Sequence, residues 1–266
     1  MLRKRIATFV ASLVAATTTA LLLAAPAQAA AERHYVALGD SYSSGLGAGS
    51  YISSSGDCKR SSSAFSQLWA NAKKPTSYVS VACSGATTTT VINNQLSALS
   101  ARTTLVSITV GGNDVGFSNI MTTCVLYGTN ECVAAVQAAE NKARTELPGL
   151  LDAVYSRIAS RAPNAQVIVL SYPVFYQLNT LCVGLSATSR AKINEGINLV
   201  DDITRTAATK RGFVFADVRS IFVGHQLCSG DKWLHALNFA SLSISYHPTT
   251  KGQSHGYYPV FQQAAG

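Results

Sequence analysis

The sequence predicts an α/β fold, a parallel sheet of five strands with helices on both faces. Three observations predict it. Five short, nearly continuous apolar runs, at 35–38, 78–82, 105–110, 165–170 and 213–216, read as strands covered on both sides. Stretches of helical periodicity alternate with them, as a βαβ series requires. Three of the runs end in a polar cluster containing glycine: Gly39-Asp40-Ser41, Ser84-Gly85 and Gly111-Gly112-Asn113-Asp114.

The first run, YVAL, carries an aromatic and a β-branched residue and stops at Gly39, the composition of a buried strand. A loop rich in Gly and Ser follows. Residues 64–70 predict a helix with Phe65, Leu68 and Trp69 on one face and Ser61-Ser62-Ser63 as its cap. The second strand runs into Cys83-Ser84-Gly85-Ala86. Residues 87–99 read as a helix despite their threonines, because Val91, Leu96 and Leu99 share a face. The third strand leads into an expected long loop bearing Val115, Phe117, Ile120, Met121, Val125, Leu126 and Tyr127. Residues 133–162 predict a helix interrupted near Pro148, with Leu150, Leu151, Val154 and Ile158 at helical spacing. A second long loop, after the fourth strand, carries Val174, Phe175, Tyr176, Leu178 and Leu181. Residues 189–210 are amphipathic along Ile193, Ile197, Val200 and Ile203. After the fifth strand, a short closing helix is expected from Thr249 onward.

The leading 29 residues stand apart. Arg3-Lys4-Arg5, an apolar stretch over 6–25 and Ala27-Gln28-Ala29 follow the order of a secretory signal peptide with its small-residue cleavage site. Export is expected, with cleavage after Ala29 or Ala30, leaving 30–266 as one domain. Pro26 and the threonines at 17–19 count against a permanent anchor. The chain of 266 residues has 21 Lys and Arg against 13 Asp and Glu, a net charge of +8. Three of those positive charges belong to the leader. The remainder is scattered, with no basic run and no nucleic-acid motif. Nucleic acid is therefore excluded as a partner. A monomer is expected, whose contact with a lipid interface is at most transient.

Six cysteines (58, 83, 124, 132, 182 and 228) in an exported chain point to three disulfides, with the pairing open. Cys124 and Cys132 close a short loop through Gly128-Thr129-Asn130, so that pair is the easiest to assign. There is no Cys-x-x-Cys pair and no histidine at ligand spacing from any cysteine pair, which excludes a zinc site.

In a parallel sheet of this kind ligands bind outside the carboxyl ends of the strands, where the three glycine-containing clusters gather. Gly39-Asp40-Ser41-Tyr42 alone is an ordinary turn composition. Beside the other two clusters it reads as the presentation of a nucleophile, Ser41. Gly85 lets a backbone N–H approach a substrate, and Asn113 offers an amide donor for a developing oxyanion. The set lacks a base. His34 lies at the wrong end of its strand, His225 and His235 stand near Cys228 and Trp233, and His255 falls inside the closing helix. His247 precedes Pro248-Thr249, where proline stiffens the backbone and threonine starts a helix. The Gly-x-Ser-x-Gly elbow of α/β-hydrolases is absent, since position 43 is Ser.

Gly39-Asp40-Ser41-Tyr42, Gly85, Gly111-Gly112-Asn113-Asp114 and His247-Pro248 resemble, in order and spacing, the four blocks of the GDSL or SGNH hydrolases. Length, leader and six cysteines are similar to the secreted actinobacterial (Streptomyces-type) lipases and esterases of that family. The resemblance implies a flavodoxin-like three-layer α/β/α sandwich and disulfides Cys58–Cys83, Cys124–Cys132 and Cys182–Cys228. It implies Ser41 and His247 as catalytic residues, the Ser41 and Gly85 N–H groups with the Asn113 amide as oxyanion hole, and no metal or cofactor. The implied activity is a Ser-His acyl-enzyme hydrolysis of lipid or fatty-acyl esters. Phospholipase A1 and carbohydrate esterase are the alternatives within the family, and a secreted binding protein with a decayed site is the alternative outside it. One position departs: where many members carry Asp three residues before the histidine, this chain has Ile244. A backbone carbonyl at Ile244 or Ser245 is expected to orient the imidazole instead, making a dyad.

Overall fold

Strands β1 (His34–Gly39), β2 (Ser77–Ser80), β3 (Leu105–Thr109), β4 (Gln166–Leu170) and β5 (Val214–Ala216) pair in the order β2-β1-β3-β4-β5, parallel throughout, in a computed structural model that describes residues 32–266. The signal peptide expected at 1–29 lies outside the described residues. The register sets Val36 opposite Val79 on one side and Val106 on the other, and Val169 opposite Phe215. Every residue of β3 is buried. Helices on both faces bury the central strands, so their apolar runs do not alternate with polar residues, whereas Val79 on the edge strand β2 and Val214 on β5 stay exposed. The strand order is the flavodoxin type, and its direction of winding reverses between β1 and β3. The crevice at that reversal is where such sheets hold ligands.

Helices α2 (Phe65–Lys73) and α8 (Tyr258–Ala265) pack together on one face. Their shared core is aromatic: Tyr35 of β1 meets Trp69 edge-on at 5.3 Å and stacks on Phe261 at 5.4 Å. The other face carries α3 (Thr88–Asn94), α6 (Leu147–Arg161) and α7 (Ala187–Lys210), with α5 (Thr129–Thr145) against α6 and α7, and α4 (Phe117–Tyr127) against α5. Disulfides join Cys58–Cys83, Cys124–Cys132 and Cys182–Cys228.

Several elements differ from the sequence reading. Residues 117–127 form a helix where a loop is expected, because Gly116 at φ +86 turns the chain into it and Met121 and Cys124 bury one side. Pro148 marks the interruption expected in the 133–162 stretch, which separates α5 from α6. It occupies the first turn of α6, where a missing N–H costs nothing, after α5 has ended at Thr145. Ser61 to Ser63 do not cap α2. Ser61 Oγ donates to Gly49 O instead, and the Phe65 N–H at the start of α2 donates to Gln253 Oε1 at 2.9 Å. The helix expected over 87–99 stops at Asn94 because Gln95 turns its amide onto Gly39, accepting from its N–H at 2.8 Å and donating to its carbonyl at 2.9 Å. A short helix, α1 (Ser41–Ser44), replaces the first residues of the predicted Gly/Ser loop.

Candidate active site

Strand β1 ends at Gly39, held at φ +118. A Cβ there would lie 2.4 Å from Thr109 O, so only glycine lets the ends of β1 and β3 close up. Asp40 follows as the N-cap of α1. Its Oδ1 accepts from Tyr42 N–H at 3.0 Å and from the Thr109 hydroxyl at 2.7 Å, and its Oδ2 from the Tyr172 hydroxyl at 2.5 Å. Burial pushes this carboxyl up to about 6, and the three donors hold it from rising further. Tyr172 is itself held, since its hydroxyl accepts from Gly112 N–H at 3.2 Å and its own N–H donates to Asp201 at 2.8 Å. A carboxylate anchored on three sides thus fixes the turn that starts at Ser41.

Ser41 Oγ lies 2.8 Å from His247 Nε2, across 206 residues of sequence. On the far side of the ring, Nδ1 lies 3.0 Å from Ser245 O. A carbonyl only accepts, so Nδ1 carries the hydrogen and Nε2 turns its lone pair to the serine hydroxyl. Burial pulls the His247 pKa down to about 4 and nearby His235 adds to the fall, against the opposing bond to Ser245. The ring is neutral at pH 7. Among the described residues no carboxylate pairs with it, and the contact at Nδ1 is the Ser245 carbonyl.

Both sides of this pair are clamped. Tyr246 sits at φ +67, a strained conformation for a residue with a side chain. Its carbonyl accepts from the Tyr42 hydroxyl at 2.8 Å, which ties the neighbour of Ser41 to the neighbour of His247. His235 pairs with the same segment, donating its N–H to His247 O at 2.9 Å and accepting from Tyr246 N–H at 2.8 Å. Sequence reasoning missed Tyr42, Tyr172, Tyr246 and this bracing by His235. Tyr42 stands inside the first motif, and Tyr172 stands just past a strand end, which are the signals that point to them. The remaining histidines are engaged elsewhere: His34 with Ser77, His225 stacked on Trp233 at 3.6 Å, and His255 with Ser254.

Gly85 sits at φ +77, and the space a Cβ would occupy is open. The N–H groups of Ser41 and Gly85 meet no acceptor among the described residues. Asn113 Nδ2 donates to Ala86 O at 3.0 Å, which fixes the amide beside Gly85 and leaves its second hydrogen available. Asp114, the next residue, ties this strand end to α3. Its carboxylate caps α3, accepting from the Thr88 N–H and from the Thr88 hydroxyl at 2.6 Å.

Ser41 and Asn113 line one narrow cavity of about 80 Å³ that extends between α4, α5 and α7. Its walls are mostly apolar: Val115, Phe117, Ile120 and Met121 from the α4 region, Phe175 after β4, Val136 on α5, and Ile193, Ile197 and Val200 on α7, with Gly196 among them and Asp40, Tyr172 and Glu140 as polar members. The apolar residues expected in two loops therefore divide. Five face this cavity, while Val125, Tyr176 and Leu181 line a wider groove of about 990 Å³. Val174 and Leu178 border a shallower recess, and Leu126 and Tyr127 are exposed. The α5 and α7 walls escape a sequence reading because helical periodicity marks a buried face without saying what it faces.

The chain is 53% identical over its whole length to Lipase 1 of Streptomyces coelicolor, whose whole length is matched in turn. The crystal structure of an extracellular lipase from Streptomyces rimosus superposes with a TM-score of 0.85 at 50% identity, covering 87% of this chain and 99% of that one. A phospholipase A1 from Streptomyces albidoflavus gives a TM-score of 0.87 at 49% identity, covering 88% of this chain and all of that one. Residues 37–255 match the GDSL-like lipase/acylhydrolase family, and the chain belongs to that family.

Proposed function

We propose that Ser41 and His247 form the catalytic dyad of an exported hydrolase of fatty-acyl esters. As a member of its family the chain is a carboxylic ester hydrolase of the lipase and esterase type. The observation that carries the assignment of residues is the line from Ser245 O through the neutral His247 ring to Ser41 Oγ. His247 Nε2 takes the serine proton as Oγ attacks the ester carbonyl. The N–H groups of Ser41 and Gly85 and the Asn113 amide receive the oxyanion. His247 then protonates the departing alcohol. Water, deprotonated by the same ring, releases the acyl group from Ser41.

The apolar cavity beside Ser41 favours an acyl chain over an acetyl group, which supports lipid esters rather than acetylated sugars. The relatives named as lipases and as a phospholipase A1 support the same substrate range. The leader at 1–29 supports export, as does the extracellular relative. No described helix is long and apolar enough to cross a membrane. We read the enzyme as a monomer that meets its lipid substrate transiently.

Ser41→Ala and His247→Ala are expected to lower kcat for p-nitrophenyl esters by about 10⁴-fold or more while the fold stays intact. A fluorophosphonate is expected to label Ser41 in the wild type alone. Retention of activity by either variant overturns the assignment. A preference for acetate over longer acyl chains rejects the lipid reading.

A further inference from the structure

Arg190 is a buried cation without a counter-charge. It lies in the opening turns of α7, behind the Ser186 N-cap, with no acidic residue in the first turn. Only 6% of it is exposed. The positive end of a helix opposes a cation at this position. Among the described residues Arg190 takes part in no ion pair. Its Nε is buried with no hydrogen-bond partner, and Nη1 reaches only Cys228 Sγ, at 3.8 Å. Its charge also bears on Tyr176, where it works against the burial that raises that phenol. A charge buried without compensation is costly, so the position calls for an anion to complete it.

The surroundings indicate which anion. Cys228 and Tyr176, both beside the guanidinium, are walls of the groove of about 990 Å³. Lys232 lines the same groove and is exposed. Tyr246, the residue before His247, lines it too, with its hydroxyl 3.4 Å from that of Tyr176, so the groove adjoins the proposed dyad. The rim is apolar: Leu181 and Val183 are each 98% exposed and Phe239 is 78% exposed. A helix N-terminus, a guanidinium fork and an ammonium suit phosphate oxygens, and exposed apolar side chains around them suit acyl chains.

We propose that Arg190, assisted by Lys232, is an anion subsite for the phosphodiester of a glycerophospholipid whose acyl ester lies at Ser41. This rests on the ester-hydrolase reading above and narrows its substrate class. The test compares kcat/KM for monomeric dihexanoyl phosphatidylcholine with kcat/KM for p-nitrophenyl hexanoate, two esters of one acyl group. In Arg190→Gln the ratio of phospholipid to neutral ester is expected to fall about tenfold or more. Arg190→Lys recovers part of the loss, and Lys232→Gln lowers the ratio about threefold. Inorganic phosphate is expected to compete with the phospholipid more strongly than with the neutral ester. An unchanged ratio in folded Arg190→Gln overturns the subsite. Where Arg190→Gln does not fold, an unchanged ratio in Lys232→Gln together with equal inhibition of both esters by phosphate overturns it. Phosphate that stabilises the wild type but leaves the ratio insensitive to both side chains marks a free-anion site and overturns the headgroup assignment. Inactivity of the wild type on both esters overturns the ester-hydrolase reading itself, whereas activity on the neutral ester alone overturns only this proposal.

Discussion

Lowering the pH tests the proposed base most directly. An ordinary histidine titrates near 6.5, so at pH 5 only about 3% of it is neutral. Burial holds His247 at about 4, which leaves about 90% neutral at the same pH. The two cases differ by about 30-fold in the fraction able to accept the Ser41 proton. The gap corresponds to a preference of about 3 kcal/mol for the neutral ring in the fold. The assay is kcat/KM for p-nitrophenyl butyrate from pH 4 to 8, each sample quenched into base so that nitrophenolate is read at one pH. The acidic limb of kcat/KM reports the free enzyme, so the limb that belongs to His247 is expected nearer 4 than 6.5, and it is read in Asp40→Asn as well, because burial holds the Asp40 carboxyl at about 6. The same group affects stability. The unfolded chain takes up the proton first, so the His247 contribution is complete above about 6.5 and is lost as the pH falls toward 4. A limb centred at 6.5 or higher, in protein still folded by circular dichroism, refutes the reasoning. Such a limb means that water or a carboxylate reaches the ring.

Other substitutions probe the supports. Tyr172→Phe removes the donor to Asp40 and the acceptor for Gly112 N–H, and is expected to cost about 2–3 kcal/mol in urea unfolding. An unchanged urea midpoint refutes the bracing. Gly39→Ala places a methyl 2.4 Å from Thr109 O at φ +118, and is expected to destabilise by about 3 kcal/mol or more, read as a fall in Tm. Gly196→Val narrows the cavity, since a Cβ there already lies 3.0 Å from Val136 Cγ1. Each methylene excluded is worth about 0.8 kcal/mol, about fourfold in kcat/KM, so the octanoate-to-acetate ratio is expected to collapse. A retained ratio means that acyl chains lie elsewhere.

How much of this was legible in the sequence follows from what each signal reports. The strands were legible because burial on both faces leaves a continuous apolar run, and β1 and β3 differ from the predicted limits by one residue at most ends. That Ser41 and Asn113 lie beside one cavity was legible because a parallel sheet places its strand ends on one edge. The clamps were not. Tyr42 bonds a carbonyl 204 residues away, and nothing in a local pattern specifies a partner at that distance. Helix α4 was hidden because its apolar residues follow a glycine-rich turn and are interrupted by two threonines of poor helix propensity. Arg190 read only as one residue of an amphipathic helix. Its lack of a counter-charge belongs to the packing of three separate segments.

The position of the carboxylates explains how the proposed dyad operates without a third member. Asp40 and Asp114 both lie at strand ends near Ser41 and Asn113, yet neither turns toward His247. Asp40 anchors the turn that carries Ser41, and Asp114 caps α3. Orientation of the imidazole falls to the Ser245 carbonyl and to the backbone strain at Tyr246, which Tyr42 and His235 hold in place. A carbonyl dipole stabilises imidazolium less than a carboxylate does, and burial weakens the base further. In the proposed dyad labour divides: Asp40 acts on the position of the nucleophile, and His247 carries the proton. Replacing Asp40 by its amide therefore disturbs the α1 turn and kcat, while the acidic limb of the pH profile stays where burial of His247 puts it.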